Sequence, residues 1–266
     1  MNNKIRFAIT LMAAASTSFS VSASERSCKD LPSNVELRKV LLQVKNDPAG
    51  NGGVNVLGLW ATIMDTTGTV CAVVSTEEGD LSVNAELAHR IFSAQKANTA
   101  NAFSNSKAAT ASGQLYTQAL PGGTLYNANL NSRVEMNSGD PSRFGTVRDP
   151  MVGKRVGGFN AWGGGLALYD SNKNKVGALG VSGQSRCSDH LIAWKVRNTL
   201  ANGAYIWTNV PFGFSSAGTD ALVLDVIPDP TGSGGPGHSP SGLGHPSSFC
   251  PNLPTPEQAG PAFVYH

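Results

Sequence analysis

The chain has 266 residues, with 20 Lys and Arg against 18 Asp and Glu; only 14% of it is charged and 40% is hydrophobic. That composition excludes a disordered polyelectrolyte, a coiled coil and a collagen-like repeat, and is enough for one large or two small globular domains. So even a charge balance leaves no electrostatic footprint for nucleic acid or an anionic membrane surface.

The chain opens with Lys4 and Arg6, then the apolar stretch Phe7 to Ala15, then the small residues Val21-Ser22-Ala23. This order predicts an export signal over residues 1–23, cleaved after Ala23. The apolar stretch is far shorter than the roughly 20 residues a bilayer-spanning helix needs, so membrane insertion is not expected. A periplasmic or secreted location follows. Of the 20 basic residues two lie in this segment, which leaves 18 against 18 acids and a neutral remainder.

Ser33 followed by Glu36 predicts a capping box, and Leu37, Val40, Leu41 and Val44 recur at helical spacing, so a helix is expected over Leu31 to Lys45. A Gly- and Asn-rich break follows. Val56 to Met64 reads as a buried strand, Asp65-Thr66-Thr67-Gly68 as a turn and Thr69 to Ser75 as the returning strand. After an acidic loop containing Glu77, Glu78 and Asp80, a long helix is expected over Ser82 to Phe103, with Leu87, Ile91 and Ala94 facing inward. Residues 104–160 are polar and glycine-rich, which predicts an ordered surface insertion with short pieces of structure. Leu166 to Asp170 and Val176 to Val181 form a second hairpin, and Ser188 is expected to cap a helix ending near Leu200. Beyond Ile227 the chain is rich in Pro, Gly and Ser, so residues 228–266 read as an extended tail, mobile except where a disulfide through Cys250 pins it. The order strand, Asp-led turn, strand, helix occurs twice, with Asp65 and Asp170 in matching places. This predicts an α+β domain over 24–227 with helices packed on one antiparallel sheet, not a doubly wound dinucleotide fold.

Cys28, Cys71, Cys187 and Cys250 form no Cys-x-x-Cys pair, so zinc-ribbon, thioredoxin and c-type haem attachment readings fail. In an exported protein four cysteines read as two disulfides with three possible connectivities. Cys28–Cys71 with Cys187–Cys250 is preferred, because each bond ties a terminal segment to the body of the domain. There is no phosphate-binding loop and no His-Glu-x-x-His. Gly180-Val181-Ser182-Gly183-Gln184 lies between a strand and a helix like a nucleophile elbow, but lacks the glycine two residues after the serine.

Two stretches carry a family signal. One is Ala94-Gln95-Lys96-Ala97-Asn98-Thr99-Ala100-Asn101-Ala102-Phe103 on the long helix. The other is Gly163-Gly164-Gly165-Leu166-Ala167-Leu168-Tyr169-Asp170, with Gly177-Ala178-Leu179-Gly180-Val181-Ser182-Gly183 and then Asp189-His190. From about Leu31 to Leu200, apart from the insertion, the chain resembles the GlcG/HbpS family of haem-binding and haem-degrading proteins, in an exported branch. The resemblance implies a profilin-like or PAS-like α+β fold, assembly into homo-oligomers, and haem as the ligand. The arginine-and-aspartate stretch common after the family's first hairpin is replaced here by Ser75-Thr76-Glu77-Glu78-Gly79-Asp80.

On that footing His190 and His245 are the candidate haem ligands, brought together if the tail folds back through Cys250. Lys96 and Thr99 are candidates to hold a carboxylate such as a propionate. Gly164, Ser182 and Gly183 would leave backbone amides open to a flat or anionic ligand. His89 reads as a solvent-facing helix residue, and His238 and His266 as tail residues. Asp189 reads as structural, placed to suit a helix dipole. The expected function is an exported protein that sequesters or senses haem. The alternatives are a binder of a small carboxylate, an enzyme of haem breakdown, or a structural subunit.

Overall fold

Local chemistry sets each boundary in the computed structural model, which describes residues 28–47, 58–128, 138–201, 210–213, 215, 218–224 and 260–265. Ser33 and Glu36 form the expected capping box, with Ser33 N–H donating to the Glu36 carboxylate at 2.9 Å, and helix α1 runs Asn34–Asn46. It buries Leu37, Leu41 and Val44. Strands β1 (Trp60–Asp65) and β2 (Val70–Ser75) make the first hairpin. The first strand thus starts later than Val56, which lies outside the described residues. Asp65 builds the turn: its carboxylate accepts from the backbone N–H groups of Thr67 and Thr69 at 2.8 and 3.0 Å. Asp170 does the same in the second hairpin, accepting from Asn172 and Asn174, both at 2.8 Å. The two matching aspartates are turn-formers.

The single long helix expected after the acidic loop is two. Asp80 caps the short α2 (Leu81–Asn84) by accepting from Ser82 N–H at 2.9 Å, and Ala85 and Glu86 are extended before α3 (Leu87–Phe103). The inward face of α3 is Arg90, Ser93, Ala94, Lys96 and Ala97, while Leu87 and Ile91 are half-buried. Glu77 and Glu78 pair with Lys45 and Arg38.

The remaining strands are β3 (Ala108–Ala109), β4 (Gly165–Tyr169), β5 (Lys175–Ser182), β6 (Phe212–Gly213), β7 (Leu222–Leu224) and β8 (Phe263–Tyr265). The main sheet has four antiparallel strands in the order β2-β1-β5-β4. Helix α4 (Arg186–Leu200) and α1 cover one face, packing on Ile63, Leu168, Leu179 and Val181; α3 covers the other, packing on Met64, Val73 and Ala178. The expected α+β fold with helices on an antiparallel sheet is what the chain adopts. Two glycines of the second hairpin let α3 lie against the sheet: a Cβ at Gly180 would collide with the Ser93 carbonyl, and one at Gly165 with that of Lys96.

Three expectations are corrected. The 104–160 segment is not confined to the surface. Phe144, Met151 and Val156 join the core under α3, and Asp149 is buried in a two-pronged ion pair with Arg90. A buried charge of this kind needs its partner, which pulls the segment inward. The C-terminal end is not simply extended and mobile, because Phe263–Tyr265 pairs in parallel with Leu222–Leu224. Finally, the cap of α4 is Ser185, whose hydroxyl accepts from Ser188 N–H at 3.2 Å, so Ser188 sits in the first turn and His190 deeper in the helix. Cys28 and Cys71 are disulfide-bonded, 5.4 Å apart at Cα. Cys187 is disulfide-bonded too, and Cys250 lies outside the described residues. Among the described residues no helix is long and apolar enough to cross a membrane.

Candidate functional site

The carboxyl end of β5, the start of α4 and the middle of α3 converge on one charged knot. Lys96 reaches from α3 with its Nζ 2.7 Å from Asp189 Oδ2, 3.1 Å from the Val181 carbonyl and 3.3 Å from Ser182 Oγ. The other Asp189 oxygen accepts from Gln184 N–H at 2.9 Å. Gly164 stands over this knot at φ +114°, where a Cβ would collide with the Val181 carbonyl and crowd Asp189 and Lys96. Burial pushes the Lys96 ammonium below its ordinary range and the Asp189 carboxyl above its own, and each partly offsets the shift in the other.

This arrangement changes the reading of two candidates. Lys96 is fully buried and its charge is met inside the protein, so it is not placed to grip a ligand's carboxylate. Thr99 is buried as well; its hydroxyl donates to the Gln95 carbonyl and accepts from Asn160 N–H, both at 2.8 Å, which pins the loop before β4. Gly183, at φ +150°, lies so close to Gly58 that a Cβ would collide with that residue's carbonyl.

The side of the knot facing solvent carries a residue that sequence reasoning set aside. His89 is half-buried rather than solvent-facing. Its Nδ1 lies 3.0 Å from Ser182 Oγ and its Nε2 2.8 Å from Glu86 Oε2. The available signal was spacing: His89 lies seven residues before Lys96, on the same face of α3. From His89 a row of half-buried rings extends across the surface. Phe92 is 6.0 Å from it edge-on, and Trp162 is 5.5 Å from Phe92. Arg186, at the start of α4, holds its guanidinium 4.9 Å from the Trp162 ring and 5.2 Å from Tyr116.

Glu86, His89 and Ser182 have the connectivity of a hydrolytic triad. Ser182 is only 1% exposed, however, and its Oγ also takes the Lys96 hydrogen bond, so a carbonyl carbon has no path to it. The face offers instead the donor set for haem: aromatic rings for the macrocycle, a guanidinium for a propionate and an imidazole for iron.

His190 is elsewhere. It is fully buried on the opposite side of the sheet, with its ring 5.7 Å from Phe263 and 6.1 Å from Trp194, and burial pushes its pKa down to about 4. His245 lies outside the described residues, as do His238 and His266, so their approach to His190 is not described. Cys28, Cys71 and Asp65 are close enough together for a metal, but the sulfurs are joined as a disulfide and Asp65 is occupied by its turn. A cavity of about 570 Å³ lies between α1 and the end of α4, lined by Lys29, Leu31, Lys39, Val40 and Leu200, away from the knot.

Sheet, helices and a half-buried row of rings beside the end of β5 define an α+β domain. The family model for haem-degrading HbpS-like proteins matches residues 56–197, and the chain belongs to that family. Solved structures similar to this chain include the following two. Klebsiella pneumoniae protein ORFY, of the DUF336 family model, is 18% identical with a TM-score of 0.40, covering 63% of this chain and 88% of its own. A PduOC:heme complex is 24% identical with a TM-score of 0.40, covering 65% of this chain and 93% of its own. No curated protein matches.

Proposed function

We propose that this protein binds haem on the face formed by His89, Phe92, Trp162 and Arg186, and that it is exported and sequesters or senses haem. One observation carries the reading. Half-buried rings, a guanidinium and an imidazole are contiguous on one surface, in a chain whose family is described by haem chemistry. The export part rests on the charged, apolar and small-residue order of residues 1–23. Homo-oligomer formation belongs to the same proposal and is read by size-exclusion chromatography with light scattering.

Haem breakdown is the second reading, and the family match favours it. One experiment separates the two. Haemin is titrated into the oxidised protein and followed in the Soret region, then ascorbate and air are added. Sequestration predicts a saturable shift that persists; breakdown predicts a shift that decays with release of iron. A titration that matches free haemin sinks both, and stabilisation by small carboxylates instead would favour a metabolite-binding role centred on Arg186.

A further inference from the structure

We infer that His89 is the iron ligand of this face, and that Ser182 is the residue that positions it. The inference rests on the haem reading above and names the atoms that reading leaves open. The two imidazole nitrogens of His89 are not equivalent. Nδ1 faces inward, 3.0 Å from the hydroxyl of a serine that is 1% exposed. Nε2 faces outward, and its only described partner is the Glu86 carboxylate at 2.8 Å, on a side chain that is 80% exposed. A carboxylate so open to water is held weakly and swings away at little cost. With Glu86 displaced and the ring proton on Nδ1, the Nε2 lone pair is presented at the surface beside Phe92.

Ser182 is suited to hold that tautomer. A hydroxyl oxygen has two lone pairs, so it accepts from Lys96 Nζ and from His89 Nδ1–H together. It does not drift, because Ser182 ends β5 in register with Trp60 of β1. Lys96 is in turn fixed by Asp189, and Asp189 by Gln184 N–H. The imidazole therefore hangs from a chain of hydrogen bonds anchored in the core, the arrangement by which a second partner orients a ligating histidine and raises its basicity. His190 has no comparable outward nitrogen, since its ring is enclosed between Trp194 and Phe263.

The test uses the oxidised full-length protein, haemin, and the variants His89→Gly, Ser182→Ala and His190→Gln, with far-UV circular dichroism confirming that each is folded. His89→Gly weakens haemin binding by about tenfold or more and moves the Soret maximum, and added imidazole restores the wild-type band. Ser182→Ala still binds haemin, but its midpoint potential rises, because an imidazole that has lost its acceptor donates less charge to ferric iron. His190→Gln keeps the wild-type Soret band. If His89→Gly binds haemin with wild-type affinity and spectrum, the ligand assignment is overturned while the haem reading stands. An unchanged potential in Ser182→Ala overturns the positioning role alone. A wild-type protein that leaves the haemin spectrum unaltered overturns the haem reading and the ligand assignment with it.

Discussion

Replacing Asp189 with alanine strips the carboxylate from a lysine ammonium that water does not reach. Lys96 and Asp189 have side chains 1% and 2% exposed, with 2.7 Å between Nζ and Oδ2. At that distance two unit charges attract by about 6 kcal/mol even with an effective dielectric constant near 20, and this attraction offsets the desolvation of both ions. Removing one partner leaves the other buried and uncompensated, which costs about 3–5 kcal/mol. The Val181 carbonyl and Ser182 hydroxyl still accept from Lys96, so the lower end, about 3 kcal/mol, is expected. For a domain of this size that is a fall of roughly 6–12 °C in Tm. Urea unfolding of the oxidised protein, followed by far-UV circular dichroism, measures it directly. The double variant Lys96→Met/Asp189→Leu, which leaves no lone charge, should recover to within about 1 kcal/mol of wild type. A loss below about 1 kcal/mol for Asp189→Ala would refute the claim that this pair sustains the knot.

His190 makes stability depend on pH with a defined sign. Its folded pKa is pushed down to about 4 by burial, so between there and the ordinary imidazole value the unfolded chain binds the extra proton and stability falls as pH falls. The loss approaches about 3 kcal/mol at the acid end, and a His190→Phe variant compared with wild type across pH 7 to 4 should lack it. Removing the Cys28–Cys71 bond, which spans a sequence separation of 43, in a Cys28→Ser/Cys71→Ser variant should lower stability by about 4 kcal/mol, read as a drop in urea midpoint without reductant so that the disulfide of Cys187 is kept. Gly180→Ala should be more damaging than a surface Gly→Ala change, because its methyl group meets the Ser93 carbonyl and α3 must lift from the sheet. Poor recovery of folded protein, or a Tm lowered by roughly 10 °C, is expected.

What was legible in the sequence was local. The capping box of Ser33 and Glu36, the two Asp-led hairpins and the helix before Leu200 each depend on residues a few positions apart, and the structure has them. Helix–helix boundaries were less legible, since the Ser82–Phe103 pattern concealed the Asp80 cap and the extended Ala85-Glu86 joint. The site depended on long-range partners. Lys96 and Asp189 are 93 residues apart, as are His89 and Ser182, and no periodicity reports such a pairing. From the sequence Lys96 therefore reads as a holder of a ligand carboxylate and His89 as a solvent-facing residue. Asp149 looked like one more polar residue in a polar segment because Arg90, its buried partner, lies 59 residues earlier. Gly164 and Gly183 invite a ligand-binding reading, but a Cβ at Gly164 would meet the Val181 carbonyl and one at Gly183 the Gly58 carbonyl, so both serve close packing of the chain.

The most direct test of the central claim is the haemin Kd of the Arg186→Glu variant beside that of the wild-type protein, measured by Soret titration. If haem lies across the rings that Arg186 borders, reversing its charge sets a carboxylate against a propionate, and Kd should rise by about tenfold or more while the fold is kept. An unchanged Kd in the folded variant would contradict the placement of haem on this face.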